Sequence, residues 1–337
     1  MTEPKRAALV GLGLVSGTHL AAIDACVGVD LVMVGGRDLG RVRAAAGDRP
    51  VAAVTDPRVV AEAADLVILA TPPDARDAWV AACCEAGTPI LMEKPVERDL
   101  ARATALVERC EAAGVALGIV LQHRMRPSAR RLKAILDDGA LGALGLVEVA
   151  VPWWRDQSYY DAPGRGTFAR DGGGVLISQA IHTLDLMLHL AEPAARCQAM
   201  LRTTALHVME AEDLGVIGLD FASGAVGSVV ATTAARPGGA ERIALHGARG
   251  SAVLEGDALT VRWADGSTEA HGAAGGTGGG ADPMAFTSDW HRDVLADFVA
   301  ALDEGRAPAV TGRDALAVHA LIDAAQRSSA EGRAVAL

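Results

Sequence analysis

The feature that most constrains the fold of this chain is a glycine-rich turn between an apolar strand and a helix close to its start. Residues 6–10 are predicted to form a buried strand, residues 11–16 a tight turn and residues 18–26 a helix. Strand-like and helical runs then alternate as far as residue 121. This alternation predicts an α/β fold built on a doubly wound parallel sheet, the Rossmann arrangement.

Beyond residue 121 the pattern changes and predicts a second domain of a different class. Helices at 129–137 and 174–190 are accompanied by short strand-like runs between residues 197 and 263, separated by glycine-bearing turns. Such runs predict an α+β domain with an open, mostly antiparallel sheet. We therefore assign residues 1–122 to the first domain, 123–288 to the second, and 289–337 to C-terminal helices that return to the first.

The segment 272–280 is unusually rich in glycine. Its glycines are Gly272, Gly275, Gly276, Gly278, Gly279 and Gly280. Few side chains there can pack, so the segment is predicted to be a mobile loop, either a linker or a lid.

Composition limits the kinds of partner that the chain can have. It has 337 residues, half of them hydrophobic, and a net charge of −11 at pH 7. No basic block is present, which argues against nucleic acid or an anionic membrane, because phosphate binding needs clustered Lys and Arg. No window approaches the ~18 unbroken apolar residues of a membrane span. A small polar metabolite is the expected ligand.

Cysteine usage bears on the cellular compartment. Five cysteines, none in a Cys-x-x-Cys pair, predict neither a disulfide framework nor a zinc ribbon, so a cytoplasmic location is expected. Lys5 and Arg6 before an apolar run resemble the start of a signal peptide, but the glycines at 11 and 13 fit a strand, a turn and a helix better. The histidines show no metal-ligand spacing, and no metal site is predicted.

The first turn matches the first two glycines of the dinucleotide-binding fingerprint and has serine at the third position. Gly11 would permit the tight turn, and Gly13 would let the backbone approach a pyrophosphate above the helix N-terminus. Gly11, Gly13, Leu14 and Val15 are therefore predicted to bind a nicotinamide dinucleotide.

The end of the second strand bears on the choice between NADP and NAD. Gly36 stands where an acidic residue would hydrogen-bond the ribose 2′-hydroxyl, and Arg37 follows it. A small residue beside a guanidinium leaves room for a 2′-phosphate and favours NADP. The alternative is that Arg37 is solvated and that Asp38 binds the ribose after a shift of one residue.

Two further turns follow successive predicted strands. Thr71 and Pro72 come after the third strand, and Glu93 and Lys94 come after the fourth. Open parallel sheets bind ligands at the carboxyl ends of their strands, so these four residues are predicted to line the cofactor site. Lys94 is one of only three lysines among 31 basic residues, and lysine, unlike arginine, can donate a proton.

On these motifs the chain resembles the Gfo/Idh/MocA family, which includes glucose-fructose oxidoreductase and inositol dehydrogenase. The resemblance covers nearly the whole length. It rests on the Gly11 turn with His19 downstream, Ala70-Thr71-Pro72, Glu93-Lys94-Pro95, the glycines at 172–174 leading into His182 and Asp185, and the C-terminal Asp297-Phe298 and Gly305-Arg306. It implies a Rossmann domain followed by an open sheet, whose exposed face often forms the contact of a homo-oligomer, here a dimer or tetramer.

For chemistry, the resemblance implies reversible hydride transfer between a nicotinamide and a hydroxyl carbon of a sugar, sugar acid or cyclitol, with Lys94 and His182 at the reacting oxygen. Imidazole, with an ordinary pKa near ~6.5, can take a hydroxyl proton close to neutral pH. Lys94 would orient the hydroxyl and stabilise negative charge on its oxygen, or share the proton. The chain departs from the family at Ser178, where an aspartate often stands. A serine at this position can hydrogen-bond but supplies no charge.

Aromatic and cationic residues gather before the glycines at 172–174. Sugar rings stack on aromatic faces, and arginine binds a carboxylate or phosphate through paired hydrogen bonds. The predicted substrate contacts are Trp154, Tyr160, Arg165, Ser178 and His182. Adjacent strand residues face opposite sides, so at least one of Trp153 and Trp154 is equally well explained as a core or interface residue.

Gln122, at the end of the first domain, is predicted to touch the nicotinamide or the substrate. His123 and Arg124 are equally well explained as hydrogen-bonding groups between the domains. Three functions remain open at this point. The chain is an NADP- or NAD-dependent sugar dehydrogenase, a relative that oxidises its substrate only transiently during elimination or hydrolysis, or a cofactor-binding regulatory protein without turnover.

Overall fold

The computed structural model describes residues 3–273, 278–280, 282 and 284–337. The centre of the predicted glycine-rich loop, residues 274–277, lies outside the described residues. By its internal contacts the chain divides into two compact units. The first contains residues up to Gln122 together with Thr287–Leu316, and the second contains His123–Phe286 and Ala317–Leu337.

The bounds of the regular elements in the described residues are as follows. The strands are β1 (Lys5–Val10), β2 (Val29–Gly35), β3 (Ala52–Val54), β4 (Leu66–Leu69), β5 (Ile90–Glu93), β6 (Leu117–Val120), β7 (Leu144–Pro152), β8 (Ala194–Arg202), β9 (Leu214–Phe221), β10 (Val226–Thr232), β11 (Arg242–Gly247), β12 (Gly250–Glu255), β13 (Ala258–Trp263), β14 (Thr268–His271) and β15 (Val335–Ala336). The helices are α1 (Ser16–Ala25), α2 (Leu39–Ala46), α3 (Pro57–Ala63), α4 (Asp77–Ala86), α5 (Leu100–Ala112), α6 (Pro127–Asp137), α7 (Gln157–Tyr160), α8 (Ile181–Ala191), α9 (Asp289–Glu304) and α10 (Gly312–Glu331).

The first unit is built on a parallel sheet whose six strands, among the residues that the structure describes, run in the order β3-β2-β1-β4-β5-β6. The chain builds outward from β1 to β3, then crosses back and continues from β4 to β6. The strand order therefore reverses between β1 and β4, where open α/β sheets bind ligands. Residues 66–69 of β4 are fully buried, as expected for a strand covered on both faces.

Part of the first unit was not predicted. The strand β3 and the helices α2 and α3 were missed, because β3 has only three residues at the edge of the sheet and none of them is fully buried. The Asp38 and Asp56 side chains cap α2 and α3 by accepting hydrogen bonds from backbone N–H groups. Asp or Asn before an apolar run is the available sequence signal for such short helices.

The second unit contains a mixed sheet of nine strands within the described residues, in the order β14-β13-β12-β11-β7-β10-β9-β8-β15. Its neighbouring strands are antiparallel except for β7 and β10, which are parallel. The helices α6 and α8 pack on one face of this sheet. The predicted fold class, a Rossmann sheet followed by an open and mostly antiparallel sheet, is confirmed.

The predicted helix at 174–190 has two parts. A π-helical turn at Leu176–Ala180 precedes α8, which begins at Ile181. Single π-helical turns inside helices occur frequently at functional sites. No helix in the described part of the chain is long and apolar enough to cross a membrane.

Candidate active site

The glycine-rich turn after β1 has two glycines with different requirements. Gly11 has a φ of +99°, and a Cβ there would lie 2.5 Å from the backbone nitrogen of Thr71, so only glycine fits. A Cβ at Gly13 would meet no protein atom within 4 Å, so packing of the chain on itself does not require that glycine. The exposed Leu14 and the half-buried Val15 then lead into α1, whose first turn has no side-chain cap.

The turn after β2 is tight around Gly36. A Cβ at Gly36 would lie 3.1 Å from Cγ2 of Val42, so an acidic side chain would require Val42 to shift. Arg37 is exposed. Oδ1 of Asp38 accepts a hydrogen bond of 2.9 Å from the backbone N–H of Arg41, which engages this carboxylate as the cap of α2.

The turn after β4 is held by an arginine that sequence reasoning missed. Arg76 is 1% exposed, and its Nε and Nη2 donate to the backbone oxygen of Thr71 at 3.1 and 2.9 Å. Its Nη1 donates to the backbone oxygens of Pro95 and Val96, which follow Lys94. Burial lowers the pKa of Arg76 to about 10 despite the opposing charges of nearby carboxylates. Arg76 therefore joins the Thr71 turn to the Lys94 turn.

Two buried side-chain oxygens of the first unit have no hydrogen-bond partner among the described residues. These are Oγ1 of Thr71, which is 8% exposed, and Oε1 of Gln122, which is 5% exposed. Buried polar groups are nearly always hydrogen-bonded, so these two oxygens, at the carboxyl edge of the sheet, are available to a ligand that binds there. Pro72 lies between Thr71 and a short 3₁₀ turn at Pro73–Ala75.

Glu93, at the end of β5, is the centre of a buried cluster that we call the Glu93 cluster, formed by His19, Glu93 and His291. Nε2 of His19 lies 2.9 Å, and Nε2 of His291 3.6 Å, from Oε1 of Glu93. Burial alone would raise the pKa of the Glu93 carboxyl, but the two imidazoles hold that pKa well below its usual range. Burial lowers the pKa of the His291 imidazole. Glu93 is therefore a carboxylate with two imidazoles facing one of its oxygens.

The same three side chains have the donor types of a metal site, although no metal was predicted. Their ligand atoms lie within 4.8 Å of one another. The cluster already lies in the field of two cations, because Arg76 interacts with Glu93 and Lys94 with His291. A divalent ion would add further positive charge beside these two cations, whereas the hydrogen bond of 2.9 Å between His19 and Glu93 already satisfies the carboxylate. Because His19, Glu93 and His291 lie far apart in the sequence, no motif spacing reveals the cluster.

In the second unit, the segment that leads into the His182 helix requires a glycine at position 174. A Cβ at Gly174 would lie 1.8 Å from the backbone oxygen of Glu212, so only glycine allows these segments to meet. The Glu212 carboxylate accepts hydrogen bonds of 3.1 Å from the backbone N–H groups of Gly174 and Leu176, at the start of the π-helical turn. Ser178 is half-buried in that turn, and His182 follows in α8 with 7% exposure.

His123 packs on His182 and has a defined tautomer. The two rings have centroids 4.9 Å apart and are tilted by 30°. Nη2 of Arg126 lies 2.5 Å from Nε2 of His123, and a guanidinium can only donate, so Nε2 accepts and the proton is on Nδ1. Arg126 is in turn paired with the buried Glu241 at 2.5 Å. A neutral imidazole thus lies against His182.

Arg124 holds the helix that carries His182. Its Nε and Nη2 donate to Asp185 at 2.8 and 2.6 Å, a bidentate pair in which the Asp185 side chain is 1% exposed. Asp185 lies three residues after His182 on α8. Within the second unit, His123 therefore packs on the ring of His182, and Arg124 binds the helix that carries it.

Two of the predicted substrate residues are engaged by the protein itself. The hydroxyl of Tyr160 lies 2.6 Å from Oγ1 of Thr233, and burial raises the pKa of Tyr160. Trp154 packs against His207 at 5.6 Å, and its Nε1 donates to Asp156. Both rings are buried, which is the arrangement of core residues.

Arg165 and its neighbours form a more accessible polar group. Nη1 of Arg165 donates to the hydroxyl of Tyr159 at 3.0 Å, with the guanidinium 4.8 Å from the ring centroid. Nε2 of Gln179 lies 3.4 Å from the same hydroxyl. Oε1 of the 5% exposed Gln179 has no hydrogen-bond partner in the described part of the chain. Sequence reasoning missed Gln179 as a member of this group.

The described end of the glycine-rich segment is anchored by Arg155. Its guanidinium donates to the backbone oxygens of Gly278 and Gly280 at 2.7 and 2.6 Å. It also lies 5.4 Å from the ring centroid of Trp153. An arginine before the glycines at 172–174 thus binds backbone within the second unit.

Comparison with protein families assigns both parts of the chain. Residues 5–120 match the model described as an oxidoreductase family with an NAD-binding Rossmann fold, and residues 129–253 match the Gfo/Idh/MocA C-terminal domain. The chain belongs to the Gfo/Idh/MocA family. The predicted family and the prediction of an oxidoreductase with a nicotinamide cofactor are confirmed.

Individual Gfo/Idh/MocA proteins are similar over nearly the whole chain. D-apiose dehydrogenase of Paraburkholderia graminis is 28% identical, covering 98% of this chain and 89% of that protein. Inositol 2-dehydrogenase of Rhizobium meliloti is 27% identical, covering 98% and 99%. The crystal structure of the WlbA dehydrogenase from Bordetella pertussis, in complex with NADH and UDP-GlcNAcA, has a TM-score of 0.84 and 28% identity, covering 99% of each chain.

Proposed function

We propose that this protein is a dehydrogenase that transfers a hydride between the C4 atom of a nicotinamide and a hydroxyl carbon of a sugar, sugar acid or cyclitol. The observation that carries the proposal is the edge formed by β1, β4 and β5. These parallel strands are neighbours, so the Gly11, Thr71 and Lys94 turns that follow them lie at one edge of the sheet. The edge includes the reversal of strand order.

The residues present fit a dinucleotide. Gly13 leaves space for a close approach to its backbone, and the first turn of α1 offers N–H groups to a pyrophosphate. The unsatisfied Oε1 of Gln122 would accept a hydrogen bond from the bound ligand. Oγ1 of Thr71 would either donate a hydrogen bond to the ligand or accept one from it. When bound, the nicotinamide supplies the hydride acceptor.

The chain's own residues supply the proton chemistry. We assign His182 as the base that takes the proton of the substrate hydroxyl, and Lys94 as the cation that stabilises the negative charge developing on that oxygen. His123 and Arg124 orient the His182 helix within its own unit. Ser178, in the place of the family's common aspartate, donates a hydrogen bond to the substrate, so catalysis rests on Lys94 and His182.

The substrate class follows the similar proteins, which act on D-apiose and inositol according to their names. In this chain, Arg165 with Tyr159 and the unsatisfied Gln179 offers a cation, a hydroxyl and an amide oxygen. These groups suit a polyhydroxylated ring, with Arg165 available for a carboxylate. Because Trp154 and Tyr160 are packed within the protein, we propose that they support this group and contact the substrate only with their ring edges.

We propose NADP as the preferred cofactor. Gly36 leaves room for a 2′-phosphate, and the exposed Arg37 supplies a positive charge for it. The Asp38 carboxylate is engaged as the cap of α2. Calorimetric titration of the wild type and of Arg37→Ala with NADP and NAD tests the assignment. We expect NADP to bind the wild type at least about tenfold more tightly, and Arg37→Ala to lose that difference. Tighter binding of NAD by the wild type would overturn the NADP preference, and no binding of either would overturn the proposed function.

We further propose that the sheet of the second unit forms the contact of a homo-oligomer. Met200, Val216 and Val230 occupy adjacent positions on β8, β9 and β10, and are 46%, 37% and 44% exposed. Leu146 on β7 pairs with Val226, which is 50% exposed. An apolar stripe across neighbouring strands is typical of a protein interface.

The unpaired state of the cysteine thiols agrees with a cytoplasmic location. The five cysteines are free, and the sulfurs of Cys84 and Cys110 lie 3.9 Å apart without being joined. Such a pair is maintained as thiols in a reducing compartment. We therefore propose that the enzyme works there on a metabolite of the cell.

A further inference from the structure

The Glu93 cluster has no place in the proton chemistry proposed above, although it adjoins Lys94. Its side chains come from three elements: His19 from α1, Glu93 from the end of β5 and His291 from α9. The side chains of His19, Glu93 and His291 are 4%, 9% and 2% exposed. All three belong to the first unit.

Burial of a carboxylate with two imidazoles needs a reason beyond packing. Replacing buried charged groups by well-packed apolar residues is often neutral or stabilising, so stability alone does not favour such a cluster. A buried hydrogen bond, such as the one of 2.9 Å between His19 and Glu93, does fix geometry more narrowly than apolar contacts do. The cluster is therefore suited to holding a backbone segment in one position.

The segment held in this way is the turn that carries Lys94. Glu93 directly precedes Lys94, and its carboxylate is fixed by His19 and faced by His291. On the other side of Lys94, Arg76 binds the backbone oxygens of Pro95 and Val96. The lysine thus leaves a turn that is anchored both before and after it.

The cluster also joins this turn to the cofactor-binding helix. His19 lies one turn into α1, whose N-terminus follows the Gly11–Gly13 turn proposed to bind the pyrophosphate. A displacement of α1 therefore acts on Glu93 through the 2.9 Å hydrogen bond from His19. His291 fixes the same carboxylate from α9, which packs against α1.

We propose that His19 and His291 are positioning residues for Lys94: by holding the Glu93 carboxylate they set the place of the lysine relative to the cofactor-binding helix. The inference rests on the proposed function for its effect on turnover, but its effect on Lys94 itself can be measured independently. The chain has only three lysines, so each can be followed separately.

The test compares matched variants of each histidine in the full-length protein. Leucine removes the ring nitrogens, glutamine places an amide N–H near the position of Nε2, and asparagine keeps a polar side chain that falls short of it. Thr88→Val is the control for a lost buried hydrogen bond, because Oγ1 of Thr88 donates to the backbone oxygen of Ala61 at 2.7 Å just before the other end of β5.

Two quantities are measured on each variant. The first is the rate at which Lys94 is acetylated by limiting acetic anhydride, relative to Lys5 and Lys133, by peptide mass spectrometry. Lys5 and Lys133 are suitable references, because each is about one-third exposed and paired with an aspartate. The second is kcat and KM with the dinucleotide and an active sugar. Metal content of the wild type is determined alongside.

We expect the leucine and asparagine variants to change the relative acetylation of Lys94 at least about threefold and to lower kcat at least about tenfold, with KM for the dinucleotide nearly unchanged. The glutamine variants and Thr88→Val should resemble the wild type. Where a leucine variant does not fold, the comparison of asparagine with glutamine decides.

Unchanged acetylation and kcat in folded asparagine and leucine variants would overturn the proposal, as would one bound metal ion per chain in the wild type. If the wild type oxidises no sugar, the proposed function fails. In that case the acetylation ratios still decide whether His19 and His291 position Lys94.

Discussion

The imidazole rings of His123 and His182 lie against each other, with centroids 4.9 Å apart, and the ring of His123 is neutral because Arg126 donates to its Nε2. A neutral neighbour allows His182 to gain a proton without meeting a second positive ring. This arrangement supports the assignment of His182 as the base of the reaction.

His182→Ala should therefore lose the base while keeping the fold. We expect kcat to fall by about 10²–10⁴, with recovery of part of the lost rate on addition of free imidazole. His189→Ala, on the same helix, serves as the matched control and should keep wild-type kcat. Steady-state kinetics with and without imidazole makes the measurement, and a loss of rate that imidazole does not restore in a folded variant would count against the role.

Gly13→Ala separates cofactor binding from stability. An added Cβ meets no protein atom within 4 Å, so the melting temperature should stay the same or rise slightly. The dissociation constant for the dinucleotide should increase by about tenfold or more, since the methyl group lies where the backbone approaches the ligand. Gly11→Ala, with backbone 2.5 Å from its Cβ, should instead destabilise the protein. Calorimetry and thermal unfolding of both variants check these expectations.

The stability contributed by Glu93 should depend on pH in one direction. Its pKa is held well below the usual range, so the folded state favours the ionised carboxylate. That contribution is fully present above the unfolded pKa of about 4.3 and is lost as the pH falls through the lower folded value. Urea unfolding should therefore show Glu93→Gln less stable than wild type at pH 5, with the difference shrinking below pH ~4.

Glu85→Gln is the control for that experiment, because Glu85 is 64% exposed and faces the exposed Arg58 at 3.7 Å. It should differ little from wild type at any pH, as surface ion pairs contribute little. A difference for Glu93→Gln that grows as the pH falls below about 4 would contradict the assignment of Glu93 as an anion.

The apolar stripe on the second sheet predicts the oligomeric state. Val216→Lys and Val230→Lys place charges in the middle of the stripe and should yield monomers. Val27→Lys is the matched control, since Val27 is 99% exposed in the first unit. Light scattering coupled to size exclusion measures the mass, and an unchanged oligomer in both sheet variants would rule out this contact.

The sequence predicts the fold well where local patterns repeat. The glycine turn and the fully buried β4 are local signals, and family motifs extend the prediction to both domains. The short β3 and α2 were missed because they have only three and eight residues, too few for a periodic pattern to stand out. The π-helical turn that precedes α8 begins where Glu212, from a distant part of the chain, binds the backbone of Gly174 and Leu176, a contact that no local pattern reveals.

Prediction of the candidate site was limited because its residues also meet through contacts between distant parts of the chain. His19, Glu93 and His291 meet only when α1, β5 and α9 come together, so no spacing in the sequence reveals them. Arg76 was missed because its role is to bind backbone oxygens, which no motif records. Conversely, Tyr160 was chosen for its aromatic ring, and only packing shows that its hydroxyl is engaged by Thr233.

The most direct test of the central claim is the absorbance of reduced nicotinamide when wild type and Lys94→Ala are incubated with NADP or NAD and a panel of aldoses, sugar acids and inositols. We predict that the wild type reduces the cofactor with at least one of these compounds and that Lys94→Ala, while still binding the cofactor, is slower by about 10²-fold or more. Cofactor binding without reduction by any compound, or equal rates in both proteins, would contradict the account. Product formation with no net change in absorbance would point instead to transient oxidation.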